Sequence, residues 1–122
     1  MKFSTGIDLL EIKRMEQSLR HPRFYTRVFS DAERTMFEQK KAKPQTIAAN
    51  FCAKEAFSKA LGTGIRGFAL TDISVLRDSL GAPYFEFGGR AKEIVKQRNL
   101  TFSVSLTHTE EYAAAFVVAV EG

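Results

Sequence analysis

The sequence predicts one α+β domain over residues 1–122, and three observations support this prediction. A chain of this length suits one domain and buries roughly two thirds of its unfolded surface without disulfide bonds. Helical spacing of apolar residues dominates the first half, whereas short apolar runs dominate the second half. No repeat, low-complexity segment or linker divides the chain. The aromatic residues are 11 Phe and 3 Tyr, so we expect a phenylalanine-rich core.

The chain is expected to begin with a short strand over residues 3–7, which delivers Asp8 at its carboxyl end. A helix follows over residues 11–19, because its apolar residues recur at spacings of three and four. The His21-Pro22 step ends this helix, because proline disfavours helical backbone at the residue before it.

Two further helices are predicted in the first half. Ser30 and Glu33 form a capping-box pattern, which places a helix start near Asp31. Pro44 marks the next boundary. The third helix is expected over residues 46–61, and the glycines of Gly62-Thr63-Gly64 end it.

Strands dominate the predicted second half. We expect strands at residues 68–76, 83–87, 101–106 and 113–120, a turn at 78–81 and a short helix at 91–97. The last strand is continuously apolar, which is typical of a strand covered on both faces. Its second cover is either another subunit or the helices of the same chain, and the sequence leaves both alternatives open.

Composition sets expectations for the compartment and for partners. The single cysteine, Cys52, has no internal disulfide partner, which favours a reducing compartment. No secretory pattern is visible near Lys2, and the longest apolar run, 112–120, is too short for a bilayer. We therefore expect a cytoplasmic protein without a membrane partner. A net charge of +4 favours anionic partners, either a phosphate-bearing small molecule or an acidic protein, without requiring nucleic acid.

Asp8, Glu55 and Lys59 are the strongest candidates for chemistry. Glu55 and Lys59 lie one turn apart on the third predicted helix. Two carboxylates and a nearby lysine are the minimum set for holding Mg²⁺ on a phosphate ester and stabilising the charge that leaves. The ordinary alternatives are an i,i+4 surface pair for Glu55–Lys59 and a helix cap for Asp8. The apolar neighbours of Glu55 argue against a plain surface pair.

Weaker patterns accompany this set. His108 lies in a turn among Ser105, Thr107 and Thr109, whose hydroxyl groups suit either a structural role or a phosphate or ribose. The 62–64 glycines either cradle a phosphate or simply stop the helix, and the helix dipole favours the second interpretation. Basic residues cluster around the first helix and suit either a solvated face or an acidic protein partner; they are Lys13, Arg14, Arg20, Arg23 and Arg27.

The most specific pattern in the chain is the run Ala53-Lys54-Glu55-Ala56-Phe57-Ser58-Lys59-Ala60-Leu61-Gly62-Thr63-Gly64-Ile65. It is accompanied by Gly6-Ile7-Asp8 with Glu11-Ile12, residues 24–33, Gly81-Ala82-Pro83-Tyr84 and residues 105–113. In these patterns, which span nearly the whole chain, the sequence resembles the holo-acyl carrier protein synthase family, the small type of 4'-phosphopantetheinyl transferase.

This resemblance implies helices packed on a small, mainly antiparallel sheet, in a homotrimer whose active sites lie between subunits. It implies transfer of phosphopantetheine from coenzyme A to a serine of apo-acyl carrier protein in fatty-acid biosynthesis, with release of adenosine 3',5'-bisphosphate. Asp8 and Glu55 would hold Mg²⁺. Lys59 would contact the pyrophosphate. As a mechanistic hypothesis, Glu55 or a metal-bound water next to it takes the serine proton.

The resemblance also implies two binding surfaces. The coenzyme A cleft would include Lys54, Lys59, Gly62, Gly64, Pro83, Thr107, His108 and Thr109. Arg14 and Arg23 would face the carrier protein. The chain departs from the family pattern at Ser4, where a glycine is usual, and at Asn50, where an arginine is common. The second departure removes a phosphate contact, for which Lys54 or the lysines at 40–43 would compensate.

Two other classes of function are compatible with parts of the sequence. One is a small basic nucleic-acid-binding module without enzymatic activity, which the charge permits but which lacks a binding motif and interleaved aromatic residues. The other is a purely structural oligomer, against which the Lys-Glu step inside an apolar helix argues.

Overall fold

The computed structural model describes residues 1–122 as five helices and five strands. The strands are β1 (Lys2–Glu11), β2 (Ile73–Arg77), β3 (Pro83–Phe87), β4 (Leu100–His108) and β5 (Tyr112–Glu121). The helices are α1 (Ile12–Ser18), α2 (Pro22–Val28), α3 (Asp31–Lys40), α4 (Pro44–Leu61) and α5 (Gly89–Gln97), with a 3-10 turn at Leu70–Asp72. No helix is both long and apolar enough to cross a bilayer.

Two antiparallel sheets form the β layer. The larger sheet has the strand order β1-β5-β4, and β2 and β3 form a separate hairpin. The register pairs Asp8 with Ala115 and Ala115 with Leu106, so β5 is the central strand. The predicted α+β class with a mainly antiparallel sheet is therefore confirmed.

Helix α4 lies across one face of the larger sheet. Small side chains on both elements allow this close packing: Ala49, Cys52, Ala53, Ala56 and Ala60 on the helix, and Ala113, Ala115, Val117 and Ala119 on β5 are all buried. A second cluster surrounds Phe57, whose ring lies 5.0–5.8 Å from those of Phe68, Phe85, Phe87 and Phe102. The phenylalanine-rich core is thus confirmed.

The opposite face of the larger sheet has no cover within the chain. Large apolar side chains are exposed there on β1 and β5, namely Phe3, Ile7, Leu9, Tyr112 and Phe116. The continuously apolar β5 is therefore buried by α4 on one side and open on the other.

Several boundaries differ from the sequence predictions. The first strand continues to Glu11, so Asp8 lies inside β1 and not at its end. Pro22 is the first residue of α2, a helix that was not predicted from the sequence. Proline is well suited to this first helical position. The capping box of Ser30 and Glu33 is present as predicted, and Gly62 ends α4 with φ +80°.

Candidate active site

Asp8 faces α4 because alternate residues of β1 point to that helix. Its neighbour two residues earlier, Gly6, is buried, and a Cβ atom there would lie 1.8 Å from the Ala56 carbonyl oxygen. Only glycine allows this approach of strand and helix. Ser4, the departure from the family pattern, donates its hydroxyl hydrogen to the Ala60 carbonyl at 2.7 Å. Strand β1 is therefore held directly against α4.

This close approach brings the predicted catalytic residues together. The Lys59 Nζ atom lies 3.4 Å from Asp8 Oδ1 and donates to the Ile7 carbonyl at 2.8 Å. The Asp8 and Lys59 side chains are 19% and 56% exposed, so the group opens to solvent. Glu55 lies one helical turn before Lys59 on α4, and its charge acts on the same group.

Glu55 is the electrostatically unsatisfied member of this group. It belongs to none of the five ion pairs of the chain. Burial raises its pKa, the neighbouring Asp8 carboxylate raises it further, and Lys59 lowers it. Two carboxylates that share one lysine retain net negative charge, so this site would gain from a bound cation.

Cys52 lies beneath the carboxylates and is fully buried. Burial, followed by the Asp8 charge, raises the pKa of its thiol to about 12. Its Sγ atom donates a weak hydrogen bond to the Ala113 carbonyl at 3.5 Å. A thiol with this pKa stays protonated near neutral pH, so Cys52 is not a nucleophile here.

The ligand set suits magnesium better than a transition metal. No group of three His, Cys, Asp or Glu residues is arranged to hold a metal. Asp8 and Glu55 therefore offer two carboxylates and no imidazole or thiolate. Magnesium commonly binds through one or two carboxylates, with water and substrate phosphates completing its octahedron.

The predicted coenzyme A residues fall into two groups. Gly62 and Gly64 follow Lys59 at the same end of α4, have φ of +80° and +65°, and have open space where a side chain would lie. Thr107, His108 and Thr109 are exposed at the end of β4. That strand is two strand spacings from β1, or about 10 Å. Within one chain the second group is therefore separate from Asp8.

Pro83 lies further away. It lines a groove of about 410 Å³ between β3 and β4, with Phe85, Phe87 and Phe102. This groove borders the edge of β4 that does not pair with β5. The structure does not bring Pro83 to the Asp8 site within one chain.

The prediction that Lys54 contacts coenzyme A is corrected by the structure. The Lys54 side chain is 0% exposed, and its ammonium pairs with Glu33 on α3. Asn50 is buried on the same side of α4 and donates to Glu33 Oε2 at 2.8 Å. Neither residue therefore faces a cleft, and Lys54 does not compensate for the family's arginine at position 50.

Sequence reasoning missed Glu33 as the partner of Lys54, because it assigned Glu33 only to the capping box. The signal was present: Asn50 and Lys54 are four residues apart on an apolar helix, and a buried ammonium needs a carboxylate. Local patterns could not identify Glu33 as this carboxylate, because it lies 21 residues from Lys54 in the sequence.

The predicted docking residues lie on a basic surface. Arg14 on α1 and Arg23 on α2 are exposed. Neither they nor Lys13, Arg20 and Arg27 form any ion pair in the chain. The ammonium and guanidinium groups of this surface are therefore free of direct ion pairs, although Glu11, Glu16, Glu110 and Glu111 line a groove beside Lys13.

The sequence and the fold match a known class of transferase. Residues 4–117 match the family model for the 4'-phosphopantetheinyl transferase superfamily. The chain is 42% identical over 116 residues to the holo-[acyl-carrier-protein] synthase of Alkaliphilus metalliredigens. The aligned region covers 93% of this chain and 95% of that protein. The chain belongs to the 4'-phosphopantetheinyl transferase superfamily.

Solved structures agree with this assignment. The holo-[acyl-carrier-protein] synthase of Neisseria meningitidis superposes with a TM-score of 0.90 at 32% identity, over 97% of this chain and 98% of that one. A Bacillus anthracis holo-(acyl-carrier-protein) synthase in complex with CoA (3',5'-ADP) superposes with a TM-score of 0.80 at 31% identity, over 98% and 96% of the two chains.

Proposed function

We propose that this enzyme transfers 4'-phosphopantetheine from coenzyme A to a serine of apo-acyl carrier protein, in fatty-acid biosynthesis. The observation that carries the proposal is the juxtaposition of Asp8, Glu55 and Lys59, from segments about 50 residues apart, in a chain of this superfamily. The solved relative that binds coenzyme A supports the choice of donor.

Asp8 and Glu55 are proposed to hold Mg²⁺, because they form an uncompensated carboxylate pair at an open site. A bound magnesium ion would withdraw charge from the pyrophosphate and hold it in place. The protein supplies only these two ligands, and the remaining positions are left for water and phosphate oxygens.

Glu55 is proposed as the general base. The serine hydroxyl oxygen forms a bond to the phosphopantetheine phosphorus, and the pyrophosphate bond to adenosine 3',5'-bisphosphate breaks. The serine proton moves to Glu55 or to a water beside it. Lys59, whose side chain is more than half exposed, stabilises the charge on the departing bisphosphate.

Coenzyme A is proposed to bind between subunits. Gly62 and Gly64 adjoin Lys59, whereas Thr107, His108 and Thr109 lie two strands from Asp8. A neighbouring copy can bring its own β4 end to the site, so a shared cleft would reunite the two groups. Pro83 is also proposed to line this shared cleft, because a neighbouring copy can bring it close to the Asp8 site.

A homotrimer is proposed on the open face of the larger sheet. Exposed Phe3, Ile7, Leu9 and Phe116 form an apolar surface that nothing in the chain covers. An apolar surface of this kind marks an interface. Replacing Phe116 with aspartate should yield monomers by sedimentation velocity, with loss of transfer, and an unchanged oligomer would contradict this interface.

The basic surface is proposed to dock the carrier protein through Arg14 and Arg23. Both are exposed and free of ion pairs, so they can attract an acidic partner. Arg14→Glu should raise the KM for the carrier protein by about tenfold or more and leave that for coenzyme A nearly unchanged. Equal effects on both KM values would argue against docking there.

A cytoplasmic location is proposed because Cys52, the only cysteine, is a free thiol.

The deciding experiment is incubation of the protein with coenzyme A, Mg²⁺ and apo-acyl carrier protein, followed by intact mass spectrometry. The carrier should gain the phosphopantetheine mass, and omission of coenzyme A or addition of EDTA should prevent the gain. Asp31→Asn changes an exposed carboxylate whose only ion-pair partner is Arg34, and this variant should transfer normally. An unmodified carrier with the wild-type protein would refute the proposal.

A further inference from the structure

A buried polar network ties the back of α4 to three neighbouring elements. The Lys54 ammonium has three hydrogens and three acceptors: Glu33 on α3, the Val28 carbonyl at 2.5 Å and the Leu70 carbonyl at 2.9 Å. These acceptors belong to α3, the end of α2 and the 3-10 turn. A single side chain of α4 therefore holds three separate segments.

Asn50 extends the network to the β2–β3 hairpin. Its amide nitrogen donates to Glu33 Oε2 at 2.8 Å and to the Val75 carbonyl at 2.9 Å, and its oxygen accepts from Arg77 at 2.8 Å. The Glu33 carboxylate also accepts from the Val75 backbone nitrogen. No buried side-chain nitrogen or oxygen in the chain lacks a partner. Every buried polar side-chain atom of the network therefore has a hydrogen-bond partner.

A buried ion pair is weak evidence of a role in stability alone. Burial raises the pKa of Glu33 and lowers that of Lys54, and the opposite charge of each partner opposes the shift. Replacing a buried ion pair with apolar residues of similar volume is often neutral or stabilising. The charges therefore call for a purpose beyond the stability of the domain.

The opposite side of α4 is held against the larger sheet. Ala60 packs there with Ala115 of β5, the Ser4 hydroxyl donates to the Ala60 carbonyl, and Lys59 donates to the Ile7 carbonyl. These contacts join α4 to the larger sheet only. The network on the back joins the same helix to α2, α3 and the β2–β3 hairpin through hydrogen bonds, which depend on distance and angle, so it fixes the helix from its second side.

We infer that Asn50 and Lys54, anchored by Glu33, are positioning residues that set the rotation and axial position of α4 and thereby place Glu55 and Lys59 opposite Asp8. Glu55 follows Lys54 directly and points about 100° away around the helix. A small rotation of α4 would therefore move Glu55 relative to the β1 carboxylate. This inference rests on the proposed function.

The test compares Asn50→Ala with Ser58→Ala. Both positions are buried polar residues of α4, but the Ser58 hydroxyl bonds only the Lys54 carbonyl of its own helix. We expect Asn50→Ala to lower kcat and to weaken Mn²⁺ binding, measured by electron paramagnetic resonance without substrate, each by about 10- to 100-fold. The KM for apo-carrier protein should stay unchanged. Ser58→Ala should leave both kcat and Mn²⁺ affinity at wild-type values.

Equal kcat and equal Mn²⁺ affinity in the two variants would overturn the inference. If Asn50→Ala does not fold, the neutral double variant Glu33→Gln with Lys54→Met decides: a melting temperature near that of the wild type with weakened Mn²⁺ binding supports positioning, and wild-type binding overturns it. Absence of transfer by the wild-type protein would refute the proposed function instead, so the two failures are distinguishable.

Discussion

Helix α4 carries two lysine–carboxylate groups in opposite environments. The Lys54–Glu33 pair is 0% exposed, and every hydrogen of its ammonium is used. The Lys59–Asp8 pair is 56% and 19% exposed, and adjacent Glu55 has no ion-pair partner. The same residue types, five positions apart, are thus committed to structure in one case and left with unused ligand capacity in the other. Unused capacity, and not the presence of charge, distinguishes the candidate active site.

Removal of the unsatisfied carboxylate should have the largest effect on activity. Glu55→Gln keeps the shape of the side chain but loses the metal ligand and the base, so transfer should fall by about a thousandfold, or about 4 kcal/mol of transition-state stabilisation. Steady-state transfer rates and circular dichroism would check this. A folded variant with near-normal turnover would remove Glu55 from the mechanism.

The two lysines should differ sharply in their effect on stability. Lys54→Met strands the Glu33 carboxylate in the core, which should cost about 3–5 kcal/mol of unfolding free energy. Lys59→Met removes the charge of a side chain that is more than half exposed, and this change should cost less than about 1 kcal/mol. Urea unfolding of the two variants measures both values.

The order of the two variants should reverse for activity. Per unit of folded protein, Lys59→Met should be the less active variant, although it is the more stable one. Lys59→Met should lose the stabilisation of the leaving bisphosphate while remaining fully folded. If Lys59→Met proved the less stable variant, the contrast between the two groups would be wrong.

A smaller effect is expected in the pH dependence of stability. Because Glu55 has a raised pKa in the folded state, the stability it contributes is full below its unfolded pKa, which is about 4.3, and is lost as pH rises through the folded pKa. In EDTA, wild-type unfolding free energy should therefore fall over this range relative to Glu55→Gln. If the difference in unfolding free energy between the wild type and Glu55→Gln did not vary with pH, the raised pKa of Glu55 would be contradicted.

Local patterns in the sequence were enough to predict much of the fold and part of the site. The capping box at Ser30 and the glycine after Leu61 are local signals, and both helix ends follow them. The structure also brings Asp8 together with Lys59 as the sequence suggested. In contrast, Pro22 begins α2, because the same residue type serves as a helix stop or as a first helical residue.

The remaining features depended on contacts between distant segments. Strand β1 runs past Asp8 because β5 supplies partners as far as Glu11. Lys54 was predicted to contact substrate because its neighbours in sequence do not reveal which way it points. Its burial follows from Glu33, on a helix that only the folded chain places beside it. Long-range pairing thus accounts for the errors.

The most direct test of the account is a crystal structure of the protein with Mn²⁺ in place of Mg²⁺, with the ion located by its anomalous scattering. The predicted result is a single strong peak bonded to carboxylate oxygens of both Asp8 and Glu55, with no peak in Asp8→Asn crystals. A peak bonded to only one of these residues, or none at this site at saturating Mn²⁺, would contradict it.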